Sequence, residues 1–319
     1  MLKVENLRKS YGNIESVKDI SFNIGENEIV GLLGPNGAGK STTMRMITGY
    51  IFQDFGKVEV MGIDMVENPV EAKKYIGYLP EIPPLYMDMT VEEHLDFICS
   101  LKKINKRYRE NEIIRVCNML NIFEVKGRLI KNLSKGYKQR IGFAAAILGS
   151  PKILILDEPT VGLDPQQIID IRNLIKELSK SMSIIISSHI LSEITSVCSR
   201  IIIVKNGTII ADGTQTEIEN NYSSENNIEM IVKGDFKKIE NILNKYFQDK
   251  IKVIFKSENS DGETNFIVTS NKNYDAREDL FKCISNFSNE ISIITMKPIN
   301  VSLEEIFIDI TNKTTIKEY

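Results

Sequence analysis

At 319 residues the chain is longer than a typical single domain, and its 42% apolar and 26% charged content is that of an ordinary globular protein with two domains. A net charge of −3, from 40 basic and 43 acidic residues, speaks against a dedicated nucleic-acid binder. No apolar run nears the roughly 20 residues that span a bilayer, and the N-terminus Met1-Leu2-Lys3-Val4-Glu5-Asn6-Leu7 carries charges where a signal peptide needs an unbroken apolar stretch. Cys99, Cys117, Cys198 and Cys283 are too widely spaced for a zinc site or a disulfide framework, so the expectation is a cytoplasmic protein with reduced thiols.

Residues 1 to 25 alternate apolar and polar, as in Val17-Lys18-Asp19-Ile20-Ser21-Phe22-Asn23-Ile24, which predicts strands with one wet face. Tyr11 closes the first of these; its ring is placed either to stack on a base or to serve as an ordinary turn tyrosine. The apolar run Glu28 to Leu33 then meets Gly34-Pro35-Asn36-Gly37-Ala38-Gly39-Lys40-Ser41-Thr42 and a helical-looking Thr43-Met44-Arg45-Met46-Ile47. This is a buried strand, a loop and a helix start. Gly34, Gly37 and Gly39 are expected to take backbone conformations closed to other residues, so that successive N–H groups point inward at an anion. Lys40 supplies a compact positive charge for outer phosphates, the Ser41 hydroxyl is placed to ligate Mg²⁺, and the helix N-terminus adds partial positive charge. Together they predict a site for a nucleoside triphosphate with Mg²⁺, without deciding among kinase, switch and motor.

Gly56 to Gly62 reads as a short strand, and Tyr75-Ile76-Gly77-Tyr78-Leu79-Pro80 as another that ends in the loop Glu81-Ile82-Pro83-Pro84. Thr90-Val91-Glu92-Glu93 has the form of a capping box, with Leu95, Phe97, Ile98 and Leu101 following in a helical region, and a helical subdomain is expected over about residues 82–150. Within it His94 reads as structural. The basic run Lys102 to Arg109 reads as a solvated helix end, with anionic lipid headgroups as the alternative partner.

Lys152-Ile153-Leu154-Ile155-Leu156-Asp157-Glu158-Pro159-Thr160 predicts a central parallel strand with two carboxylates at its C-terminal edge, where open α/β sheets hold ligands. There Asp157 would belong to the Mg²⁺ shell and Glu158 could take a proton from an attacking water. A second buried strand, Ser183 to Ser188, delivers His189 to the same edge, where an imidazole could contact the terminal phosphate. Arg200 to Ile210 is two strands joined by Asn206-Gly207. The polar stretch Asn220 to Asn227 is the expected domain boundary, dividing 1–219 from 220–319. Beyond it the order is strand (228–233), helix (235–247), strand (250–257), strand (264–270), helix (275–287), strand (290–296), a ferredoxin-like βαββαβ arrangement, followed by an amphipathic helix over Leu303 to Ile310.

Between the helical subdomain and the acid-ending strand lies Asn132-Leu133-Ser134-Lys135-Gly136-Tyr137-Lys138-Gln139-Arg140, which resembles the Leu-Ser-Gly-Gly-Gln signature of ABC transporter ATPases. The phosphate loop, this signature, Asp157-Glu158, Gly162-Leu163-Asp164-Pro165 and His189 occur in that family's order over roughly residues 1–215. The wording Leu-Ser-Lys-Gly-Tyr, the Gly77-Tyr78-Leu79-Pro80-Glu81 loop and the ending Ser302-Leu303-Glu304-Glu305-Ile306-Phe307 look like the ATP-binding subunits of multidrug, antibiotic and gliding-type exporters of the second ABC class.

The resemblance implies an α/β fold: a P-loop NTPase domain with a central mostly parallel sheet, an antiparallel β subdomain and a helical subdomain, then the small α+β ferredoxin-like domain. It implies an ATPase that exports a drug-like, lipid or other substrate through separate permease subunits. It further implies that Tyr11 stacks on adenine, Gly34 to Thr42 bind phosphates and Mg²⁺, Asp157 supports the metal, Glu158 is the general base and His189 orients the γ-phosphate. Ser134 and Gly136 would cap the γ-phosphate of ATP held by a second copy of the chain, and Asp164 would bridge the two sites. Glu81 stands where the family often has Gln and is a further metal candidate, while Lys135 replaces the first Gly of the signature pair and brings a compensating charge. The implied location is the inner face of the cell membrane, as a peripheral subunit with no nucleic-acid partner. The rival readings are a soluble ABC ATPase acting on ribosomes or DNA and a nucleotide-dependent sensor or immunity protein that sequesters a drug.

Overall fold

The structure, a computed structural model, describes residues 1–222, 225–259, 262–271, 274–287, 291–299 and 302–312. The chain divides into two compact units, Met1–Gln215 and Thr216–Tyr319. In the first, the alternating N-terminal residues form the antiparallel pair β1 (Leu2–Tyr11) and β2 (Ile14–Ile24), which buries Leu2, Val4, Leu7, Val17, Ile20 and Ile24 and leaves the intervening polar residues wet. Next come β3 (Ile29–Leu33), α1 (Lys40–Ile47), β4 (Phe55–Val60), β5 (Ile63–Asp64), α2 (Pro69–Lys73) and β6 (Ile76–Leu79).

Helices α3 (Val91–Leu101), α4 (Lys106–Met119) and α5 (Lys135–Ile147) make the helical region. The first of them opens on the expected capping box, Thr90 accepting from the Glu93 N–H while Glu93 accepts from the Thr90 N–H. Residues 82–90 are loop, since Pro83 and Pro84 cannot donate into a helix. The unit is completed by β7 (Ile153–Asp157), α6 (Pro165–Leu178), β8 (Ser183–Ser188), α7 (Leu191–Thr195), β9 (Arg200–Lys205) and β10 (Thr208–Gly213).

The ten strands form one sheet in the order β5-β4-β1-β2-β10-β9-β3-β8-β7-β6. From β9 to β6 every neighbour is parallel, and β3, β7 and β8 are buried along their whole length, which is why they read as unbroken apolar runs in sequence. β9 and β10 are joined through Asn206 and Gly207 at φ 50° and 78°, the left-handed pair that a two-residue hairpin requires. The parallel block ends its strands on one edge, and that edge carries the phosphate loop, Asp157-Glu158 and His189.

The two compact units meet at Gln215/Thr216, at the start of helix α8 (Gln215–Tyr222), the helix in which the expected boundary at 219/220 also falls. Ser223 and Ser224 of the polar stretch lie outside the described residues. Glu225, Asn226 and Asn227, expected as turn, open strand β11 (Glu225–Lys233), where pairing with β13 and β14 overrides their turn propensity. With α9 (Phe236–Phe247), β12 (Ile251–Glu258), β13 (Glu263–Asn271), α10 (Arg277–Ser285) and β14 (Ser292–Ile299) it gives an antiparallel sheet of order β12-β13-β11-β14, the split βαβ order of a ferredoxin-like domain. Residue 290, the expected start of the last strand, lies outside the described residues. Ile228, Met230, Val232, Phe266 and Val268 share a core with Ile239, Leu243, Leu280 and Ile284 of the two helices. α11 (Leu303–Asn312) follows. All four cysteines are free, and among the described residues no helix is long and apolar enough to cross a membrane.

Candidate nucleotide site

The glycines between β3 and α1 divide the work. Gly37 and Gly39 sit at φ 78° and 103°, so they turn the loop as only glycine does without strain. Gly34 corrects the sequence reading: its φ is not left-handed, and it is required because a Cβ there would fall on the Val204 carbonyl of β9. The loop therefore packs against the neighbouring strand at Gly34 and coils at Gly37 and Gly39.

Lys40 is buried, 5% exposed, and its ammonium donates to the carbonyls of Gly34 (2.8 Å) and Pro35 (3.2 Å) while pairing with Glu158 Oε1 at 3.6 Å. Burial lowers its pKa, and Glu158 and Asp157 oppose that shift. A desolvated ammonium held by two carbonyls and one carboxylate has little to lose when phosphate oxygens arrive, which suits it to bind them.

On β7, Asp157 Oδ1 accepts from Ser41 Oγ (3.0 Å) and from Ser187 Oγ of β8 (2.6 Å), so the metal-side serine is tied to the acid strand. Glu158 takes φ 49°, an uncommon conformation for a side-chain-bearing residue, and its N–H is held by the Ser187 hydroxyl at 2.9 Å and the Ser187 carbonyl at 3.2 Å. The turn aims the carboxylate into the site, where Oε2 meets His189 Nδ1 at 2.9 Å and Oε1 faces Lys40. One carboxylate is thus fixed between a buried ammonium and a half-exposed imidazole.

Lys40, Ser41, Glu158 and His189 line a cavity of about 260 Å³ that brings together the loop from Asn36 to Thr42 with Glu81, Glu158 and His189. The volume is small beside the roughly 300 Å³ or more of pockets that enclose a whole ligand, and matches the phosphate end of a nucleotide. The oxygen donors of Ser41, Asp157 and Glu81 are the hard ligands Mg²⁺ accepts. Among the described residues no cluster of three or more His, Cys, Asp or Glu could hold a metal alone, so Mg²⁺ there would draw on phosphate oxygens and water as well.

Gly34, Pro35 and Asp157 lie behind its wall and do not line this cavity, and neither do Tyr11, Ser134, Gly136 and Asp164. Tyr11 is half exposed at the end of β1, with Lys9 Nζ 5.9 Å from its ring centre. Ser134 caps α5, accepting from the Tyr137 N–H, and Asp164 caps α6, accepting from the Gln167 N–H at 2.9 Å. A Cβ on Gly136 would meet the Gln167 amide at 2.6 Å, so the signature turn packs onto the start of α6 in the same chain. Both caps are exposed.

Sequence reasoning missed Ser16, whose hydroxyl is 3.1 Å from that of Thr42, and Val161 in the cavity wall; neither stands out in any pattern. It also missed Ser187 and Gln139, whose side chain donates to the Pro159 carbonyl at 2.9 Å. Ser187 had a signal: a hydroxyl ending a buried apolar strand beside the acid strand needs a partner.

The family model described as ABC transporter matches residues 17–161. The chain is 37% identical to the linearmycin resistance ATP-binding protein LnrL of Bacillus subtilis (strain 168), covering 73% of this chain and 76% of that one. It is 38% identical to the lipopolysaccharide export system ATP-binding protein LptB of Haemophilus influenzae, covering 69% and 93%. Among solved structures it resembles a dimeric ATP-binding cassette in a post-hydrolysis state bound to ADP and Pi, with TM-score 0.62 and 25% identity over 67% of this chain and 98% of the other.

Proposed function

The chain belongs to the ABC transporter family as an ATP-binding, ATP-hydrolysing subunit, and from that premise we propose that it powers export of a substrate through separate membrane-spanning permease subunits, at the inner face of the membrane. The observation that carries the reading is the fixed carboxylate of Glu158 between Lys40 and His189 beside a phosphate loop. Resistance and export systems among the relatives support the outward direction.

The residues have separable tasks in this reading. The loop from Gly34 to Thr42 binds the phosphates, and Lys40 exchanges its carbonyl partners for phosphate oxygens. Ser41 and Asp157, with Glu81, would hold Mg²⁺, which neutralises charge on the phosphates when bound. Glu158 takes the proton of the attacking water, and His189 holds the carboxylate and reaches the terminal phosphate. Tyr11 stacks on the base beyond the cavity. Ser134, Gly136 and Asp164, which leave their own chain's site untouched, serve the site of a second copy; a dimeric cassette of the same fold supports that arrangement. The loop around Glu81 and the helical region face the permease. The second unit, residues 216–319, is assigned a dimerisation or regulatory role because it carries a complete core and none of the site residues.

Turnover of MgATP by purified protein tests the core of this, with Lys40→Ala and Glu158→Gln expected to abolish it; unchanged turnover in both variants overturns the reading. Light scattering on Glu158→Gln with ATP is expected to show a dimer, and a persistent monomer overturns the shared site. ATPase stimulation by nucleic acid and not by a membrane partner would favour a soluble ABC ATPase. Truncation after residue 222 that leaves dimerisation, ATPase rate and transport unchanged removes the role given to the second unit.

A further inference from the structure

A second cavity, about 250 Å³, opens between α3, α5 and the loop after β6, and its walls are mainly apolar: Leu79, Pro84, Leu85, Ile98, Leu101 and Ala145. His94 stands in that wall. It is 1% exposed, and neither ring nitrogen has a hydrogen-bond partner among the described residues. Such an orphan is costly, because a buried polar group without a partner forfeits its hydration and gains nothing in return. The other polar wall groups are occupied: Lys102 donates to the carbonyls of Ala146 and Leu148, capping the end of α5, and burial pushes its pKa down to about 8. Burial alone holds His94 below its ordinary pKa, so the ring is neutral, with one donor and one acceptor to satisfy.

Exposed apolar side chains adjoin the cavity. Leu101 of its wall is 62% exposed, and Tyr86, on the loop before α3, is 52% exposed. Tyr86 lies 5.9 Å from the His94 ring and edge-on to Phe97 at 5.3 Å. Exposed apolar side chains gathered around a pocket mark a surface that another protein covers. The cavity is too small for a whole drug-sized molecule and of a size for one side chain.

We propose that this cavity is a socket for a tyrosine-like side chain of the membrane-spanning partner, its ring among the apolar walls and its hydroxyl hydrogen-bonded to His94. A phenol both donates and accepts, matching a neutral imidazole, and carries no charge into apolar surroundings. Phenylalanine would fill the space and leave His94 unpaired; lysine or glutamate would bury a charge. The proposal rests on the permease reading above and specifies what the partner inserts.

The test needs no partner. The chain has two histidines, His94 and His189, so imidazole NMR of the intact protein shows two rings, assigned with His189→Ala. The protein is titrated with p-cresol, the tyrosine side-chain analogue, and with toluene, the phenylalanine analogue. p-Cresol is expected to shift the His94 resonances and leave those of His189 in place, binding about fivefold more tightly than toluene, the worth of one hydrogen bond. His94→Leu removes that preference, and Ala145→Leu, which fills the cavity, removes binding of both compounds. Equal affinity for the two compounds, or no perturbation of His94 by either, overturns the proposal. Because no nucleotide or permease is present, that failure is distinct from failure of the export reading, which is decided by turnover and transport.

Discussion

The nucleotide cavity and the cavity beside His94, both in the first unit, are nearly equal in volume and opposite in chemistry. In the nucleotide cavity every catalytic candidate is already engaged: Lys40 with two carbonyls and Glu158, Glu158 with His189, Asp157 with Ser41 and Ser187. In the second cavity the one imidazole has no hydrogen-bond partner among the described residues. The difference shows two ways of preparing for a ligand. Charged groups are too costly to leave unpaired, so they hold one another in working positions until phosphate displaces some of the contacts. A neutral imidazole costs less, and the fold tolerates it unpaired in the wall of a cavity.

The comparison breaks most visibly at the engaged groups. Lys40→Ala and Glu158→Gln are each expected to lower ATP turnover by at least about 100-fold, with Glu158→Gln retaining ATP binding because its amide oxygen can still accept from Lys40 while its NH2 donates to the His189 ring. Loss of less than about tenfold in Glu158→Gln would mean that the interlocked carboxylate is not the base, and so small a loss in Lys40→Ala would mean that its ammonium does not hold the phosphates.

Next in size is the loop that positions them. Gly34→Ala places a methyl on a backbone carbonyl and should cost about 3 kcal/mol of stability, read as a lower unfolding midpoint. Gly37→Ala meets open space, so its φ of 78° is its only penalty, about 1 kcal/mol. If the two variants are equally destabilised, the distinction between close approach and conformational freedom fails.

How much of this was legible in sequence follows the same physics. The phosphate loop, Asp157, Glu158 and His189 could be read because strand, turn and helix signals fixed their place on one sheet edge, and parallel topology did the rest. The capping box at Thr90 and the Asn206-Gly207 hairpin were legible because their causes are local. What escaped is long-range: the closeness of Gly34 to Val204, of Ser187 to the Asp157 carboxylate and the Glu158 N–H, and of Gln139 to Pro159 joins residues 20 to 170 positions apart. His94 read as structural because its helix gave no hint that a cavity lies beside it. Glu225 to Asn227 read as a turn because strand pairing with β13 and β14 is invisible from their composition.

A smaller effect tests the unpaired ring from the side of stability. His94 has its pKa lowered by burial, so the folded state favours the neutral ring. At pH above about 6.5 the ring is neutral in both states and contributes no pH dependence. As pH falls below that value the unfolded chain binds the proton more readily than the folded one, and stability is lost. His94→Leu should therefore unfold at a higher temperature than the parent protein, by the equivalent of about 1 kcal/mol for removing an unpaired buried group, and the gap should widen from pH 7 to pH 5.5. A gap that stays constant across that range would show that His94 is paired or hydrated in solution.

The smallest effect is expected at Glu81, the one carboxylate of the nucleotide cavity that sits exposed on a loop. Its side chain can offer an oxygen to the metal shell, but so can an amide, and the solvent around an exposed carboxylate screens the extra negative charge it brings near the phosphates. Glu81→Gln is therefore expected to retain turnover within about tenfold, a difference of roughly 1.4 kcal/mol in barrier. Apparent Mg²⁺ affinity, measured by titrating the metal at fixed ATP, separates the possibilities that turnover alone confuses. A weaker metal with preserved maximal rate places the charge of Glu81 in the metal shell. Complete loss of turnover with normal ATP binding would make the carboxylate indispensable and move Glu81 from the tolerant group into the interlocked one with Lys40 and Glu158.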